Sequence, residues 1–198
     1  MAIKGRKRVF GFGINDHQEN VCNEDGKIKP SHRYWYNMLA RCYNGKTKSN
    51  SPHCLDCTVC EEWKSYSCFK KWFDEHYVEG WELDKDILIK GNKEYAPDKC
   101  CFVPREVNSL FTKHARGRGK YPIGVYYNSR GWQRKYVAAL HIDGTRRGVG
   151  CFLTPEEAFN AYKVAKEAQI KVVADRWKDV IEEKVYKAMC NYKVEITD

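Results

Sequence analysis

Apolar and polar positions alternate from Gly124 to Phe152 and then change to a helical period. The alternating part holds two strand patterns, the pair Asp143-Gly144 that closes a tight hairpin turn, and a short third strand. Thr154 follows at an N-cap position, Pro155 at the first helical position, and Glu156 and Glu157 in the first turn. Apolar residues then recur at Ala158, Ala161, Tyr162, Ala165, Ala168 and Val172, the spacing of one buried helix face. This pattern predicts a three-stranded antiparallel sheet covered on one side by one helix.

Earlier in the chain, a helix is expected from Ser31 to Tyr43, capped by Ser31, with Trp35, Met38, Leu39 and Cys42 as its buried stripe. Residues 11–30 read as an irregular lead-in, and 44–52 as a polar loop. A second helix is expected from Glu61 to Tyr77, its apolar face carried by Trp63, Phe69, Trp72 and Phe73 and its end marked by Gly80. Residues 83–108 read as a short strand, a Gly91-Asn92 turn, a second short strand and a helix begun after Pro104. Residues 112–122, where Arg and Lys mix with glycines before Pro122, read as a flexible basic linker. After a pause near Ala174-Asp175 the helical pattern resumes through Trp177, Val180, Ile181, Val185 and Met189. The whole is an α+β protein of two small domains, 1–114 and 115–198.

Charge changes this picture from architecture to partner. The window Arg105–Arg147 holds ten Lys or Arg against two Asp or Glu, so it carries +8 of a chain total of +9. Arg130, Arg134, Lys135, Arg146 and Arg147 alternate there with Tyr126, Tyr127, Trp132 and Tyr136. Arginines reach phosphates and base edges, so such a sheet face suits double-stranded DNA; an ordinary solvated face is the alternative. Arg116, Arg118 and Lys120 in the linker are candidate phosphate contacts. No apolar run approaches a membrane span, so no membrane partner is expected. The N-terminal basic residues precede no apolar segment of a secretion signal, so a cytoplasmic location is expected.

Ten cysteines in such a chain are expected as reduced thiols or metal ligands. Cys54, Cys57 and Cys60 form two overlapping C-x-x-C spacings, and Zn2+ takes four such ligands. The expected set is Cys42, Cys57, Cys60 and Cys100, with Cys54 or His53 in reserve. Buried free thiols are the other reading.

Two resemblances follow from motifs in order. Gly124-Val125, Tyr136-Val137-Ala138, Gly150-Cys151-Phe152-Leu153-Thr154-Pro155-Glu156-Glu157-Ala158 and Ala161-Tyr162 resemble the plant ethylene-response-factor, or GCC-box-binding, domain over about a quarter of the chain. Tyr136 replaces a tryptophan usual there. This resemblance implies a sheet lying in the major groove.

Leu83-Asp84-Lys85, Gly91-Asn92, Tyr95-Ala96-Pro97, Cys100 and Asn108 resemble the degenerate HNH-like homing endonucleases of phages, a likeness covering residues 31–110. It implies a ββα site hydrolysing DNA with Mg2+ or Mn2+, in which Asp84, Asp86 and Asn108 are candidate metal ligands. Only one of Asp84 and Asp86 is expected to face the metal, and Asp84 is chosen. Lys85 occupies the place of the catalytic histidine, and a lysine is a poor base at neutral pH. His76 or His114 would then supply the base, or the site is inactive. The sequence therefore predicts a DNA-binding endonuclease or, alternatively, an inactive DNA-binding protein on the same scaffold. An RNA-binding or protein-inhibitor module is the third class.

Overall fold

A computed structural model describes residues 8–50 (backbone only at 48–50), 55–112, 120–130, 133, 135–142, 144–196 and 198. It divides into two compact units, Met1–Asn108 and Ser109–Asp198. Helices and short strands mix in the first unit, and a three-stranded sheet with helices forms the second, an α+β composition. No helix among the described residues is long and apolar enough to cross a membrane.

The first unit is built on an aromatic core. Helix α1 (Pro30–Tyr43) buries Trp35, Met38, Leu39 and Cys42, the stripe read from the sequence. Its start differs: Lys29 holds the cap position without a side-chain cap, and Pro30 supplies the preset φ of a first turn. The Ser31 hydroxyl bonds the Tyr66 hydroxyl at 2.8 Å instead. Helix α2 (Gly45–Asn50) replaces part of the expected loop, because the Asn44 side chain accepts from the amides of Lys46 and Thr47. The expected Glu61–Tyr77 helix is broken. A 3-10 turn (Glu62–Lys64) precedes α3 (Tyr66–His76), and between them Ser65 caps α3 by accepting from the Cys68 amide.

Strand β1 (Thr58–Val59) pairs in parallel with β3 (Glu94–Tyr95), and β2 (Glu82–Asp84) pairs antiparallel with β4 (Cys101–Val103). The expected hairpin across Gly91-Asn92 therefore does not form; β2 finds its partner beyond that turn. Helix α4 (Arg105–Phe111) follows Pro104 as expected. Phe102 on β4 meets the rings of Tyr34, Trp72, Phe73 and Tyr77, all at centroid distances of 5.4–5.6 Å. Contacts of this kind add about 1 kcal/mol each beyond area burial. The Trp35 indole donates to the Trp63 carbonyl at 2.8 Å, which joins α1 to the 3-10 turn.

In the second unit β5 (Val125–Tyr127), β6 (Tyr136–Ile142) and β7 (Thr145–Phe152) form an antiparallel sheet in that order. Ile142 pairs with Thr145 across a two-residue turn, where Gly144 has φ +72°. Helix α5 (Pro155–Trp177) starts with the expected Thr154 cap, completed as a capping box by the Glu157 side chain. Ala158, Phe159 and Tyr162 pack on Ala138 and Leu140 of β6. Gly124, at φ +76°, lies so close to the Tyr162 ring that a Cβ there would approach it to 2.1 Å. The expected helix stripe fails further along: Ala168 is exposed and Val172 is 61% exposed. There the buried face turns to Ile170, Val173 and Ala174, and α6 (Glu183–Cys190), with Val185 and Met189 buried, packs on α5.

Removing the Thr154 hydroxyl orphans the Glu157 amide. Thr154→Ala should lower stability by about 1 kcal/mol, read by denaturant unfolding of the full chain.

Candidate functional site

Residues directly opposite in a sheet share a face, so the helix contacts assign both faces. Tyr136, Ala138 and Leu140 belong to the α5 side. Val137, Ala139 and His141 of β6 therefore face away from the helix. Register adds Tyr126 and Cys151 opposite Val137, Gly148 opposite Ala139, and Arg146 opposite His141. On this helix-free face the Arg146 guanidinium carbon lies 3.6 Å from the Tyr126 ring centroid, a close cation–π contact. Gly148 on β7 is exposed with open space where a Cβ would stand, so a ligand can approach the backbone there, while Ala139 opposite it is buried.

The sequence-predicted DNA-binding residues divide over this frame. Tyr126 and Arg146 share the helix-free face. Arg147 pairs with Leu140, which puts it on the helix side of the open edge strand β7. Arg130 sits exposed in the β5–β6 connection, its amide bonded to the Asn128 side chain. The Lys120 ammonium lies 5.3 Å from the Tyr121 ring centroid. Arg116, Arg118, Trp132 and Arg134 lie outside the described residues, as does the turn residue Asp143. His141 was missed by the sequence reading; continuing the Tyr136–Ile142 alternation one step would have put it beside Arg146.

The candidate catalytic residues do not assemble a metal site. One Asp84 carboxylate oxygen accepts from the amides of Asp86 and Ile87, both at 2.7 Å, so Asp84 organises a turn at the end of β2. Burial pushes its carboxyl above the usual carboxylate range, and those two amides offset only part of that. Lys85 and Asp86 lie beyond β2, so strand alternation does not govern them. Buried Lys85 donates to both oxygens of Asp86 at 2.8 Å and to the Asn92 carbonyl at 2.9 Å. Burial would lower the lysine, but the Asp86 carboxylate outweighs it and holds the ammonium above its ordinary value. A charged, fully engaged ammonium is no base. Asn92 completes the staple by donating to the carbonyls of Lys85 and Glu94.

Asn108 on α4 donates to the Glu82 carboxylate, and the His76 ring stacks on Trp72, its Nδ1 2.8 Å from the Trp72 carbonyl. His114 lies outside the described residues. Glu82 was not a sequence candidate. It lies on the same face of β2 as Asp84, two residues away.

The expected zinc ligands are also placed otherwise. Cys42, Cys57 and Cys100 are buried in the aromatic core, and Cys60 packs against it. Among the described residues no group of three or more His, Cys, Asp or Glu side chains could hold a metal. Neither the zinc set nor the Asp84 set forms such a group, and His53 and Cys54 lie outside the described residues. Burial raises the thiols of Cys60 and Cys100, which suits apolar packing. No protein-family model, curated protein or solved structure matches the chain.

The turn role of Asp84 separates two substitutions. Asp84→Asn keeps an acceptor oxygen and removes the cost of ionising a buried group, so it should melt no lower than the parent at neutral pH. Asp84→Ala strands two amides and should lose about 1–3 kcal/mol. Because the folded-state pKa is raised, protonation favours the folded parent. The gap between parent and Asp84→Asn should therefore narrow as pH falls.

Proposed function

We propose that this protein binds double-stranded DNA through the helix-free face of the β5–β6–β7 sheet. The observation that carries the reading is exposed Arg146, its guanidinium carbon 3.6 Å from the Tyr126 ring centroid, on the same face as open Gly148. A planar guanidinium fixed by a ring is pre-organised for bidentate bonds to a guanine edge or a phosphate. The Arg105–Arg147 segment around it carries nearly all of the chain's net positive charge, which suits a polyanion. The likeness to the GCC-box-binding domain supports the same face. Binding alone accounts for these features, so the function favoured is that of a DNA-binding protein without hydrolysis.

Metal-dependent cleavage by the first unit is the second reading. It has one specific observation in its favour: a β2–β4–α4 order in which Glu82 and Asp84 share a face and Asn108 reaches Glu82. The turn role of Asp84 and the charged Lys85 weigh against it. Supercoiled plasmid with Mg2+ or Mn2+ should stay intact; nicking abolished by Glu82→Gln would establish the second reading.

The binding face is tested by anisotropy titration of a short duplex. Arg146→Ala should weaken binding by about 1–3 kcal/mol, whereas Arg147→Ala, on the opposite side, should weaken it less. Equal affinity for parent and Arg146→Ala would overturn the assignment.

A further inference from the structure

A second cluster in the same unit lies on the other side of the sheet, at its β5 edge. Tyr127 and Tyr136 are directly opposite each other, with ring centroids 5.6 Å apart. Tyr121 packs on both, at 5.4 Å from Tyr136 and 6.3 Å from Tyr127. Tyr136 touches the helix-side core, so this group faces away from Arg146 and Tyr126. It remains open to solvent, with Tyr127 43% exposed.

Two ammonium groups sit over these rings: Lys120 over Tyr121 at 5.3 Å and Lys135 over Tyr127 at 6.0 Å. Among the described residues neither has a carboxylate partner. Residues 120–142 themselves contain no Asp or Glu. Ring faces thus lie under two cations, and exposed Arg130 sits in the same β5–β6 connection as Lys135. Such a surface is complementary to a polyanion.

Sheet dimensions say which part of the polyanion. Three strands span two gaps of about 4.8 Å, or roughly 10 Å in all. The major groove is about 12 Å wide. A sheet seated there brings its edge strands against the two groove walls, which are phosphate backbones. Strand β5 is an edge strand.

Resting on the groove reading above, we propose that Lys120 and Lys135, positioned by Tyr121, Tyr127 and Tyr136, clasp the phosphodiester backbone along the β5 edge. The contact is to phosphate oxygens, so it adds affinity without sequence preference. The tyrosine hydroxyls are further donors to the same oxygens.

The test is an anisotropy titration of the full chain with a short mixed-sequence duplex across a range of salt concentrations. The variants are Lys120→Gln/Lys135→Gln, which removes two exposed charges, and Tyr127→Leu, which removes only the ring under Lys135. Matching melting curves confirm that each variant is folded. Loss of two phosphate contacts should lower the slope of log affinity against log salt by about 2. Tyr127→Leu should give an intermediate slope. A double variant with the parent's affinity and slope overturns the clasp and leaves the Arg146 face standing. A parent that binds no duplex at low salt overturns both. Loss confined to a single-stranded oligonucleotide would make the cluster a base-stacking site and also overturn the clasp.

Discussion

One helix covers one face of a three-stranded sheet, and the close seat of Tyr162 on Gly124 holds it there. A side chain larger than hydrogen at Gly124 would collide with that ring and strain a backbone already at positive φ. With the helix fixed on that side, Ala138 and Leu140 must face it, and the alternation of β6 sends Val137, Ala139 and His141 to the other. Every assignment on the proposed DNA face follows from this parity, including the opposite placements of neighbours Arg146 and Arg147.

The first unit is organised by different forces. Phe102 gathers four aromatic rings, and the charged staple of Lys85, Asp86 and Asn92 shapes the loop between β2 and β3. A buried ammonium is costly unless paired, and here three acceptor oxygens satisfy it. The residues that resemble a nuclease motif are thus explained by local structure: Asp84 by two turn amides, Asn92 by a loop it ties from both sides, Asn108 by its bond to Glu82.

Much of the second unit was legible in the sequence because its signals are local. The turn at Gly144, the Thr154-Pro155 helix start and the Glu157 capping partner each act within a few residues. The buried stripe of α1 was legible for the same reason. What was hidden depended on contacts distant in sequence. Strand β2 takes β4 as partner instead of its near neighbour, Ser31 serves Tyr66 instead of its own helix, and α5 changes its buried face where α6 docks. The cysteine spacing suggested zinc, but spacing carries no side-chain direction, and three of those thiols point into the aromatic core. His141 escaped because a charge-based reading counts arginines and lysines, whereas face parity selects by position.

The central claim is that duplex DNA meets the face of the sheet that α5 leaves bare. Amide chemical-shift mapping by NMR during titration with a short duplex tests it most directly. The account predicts the largest changes at Tyr126, Ala139, His141, Arg146 and Gly148, with the α5 amides little changed. Shifts confined to the first unit or to α5 and α6, with the β6 and β7 amides unmoved, would contradict it.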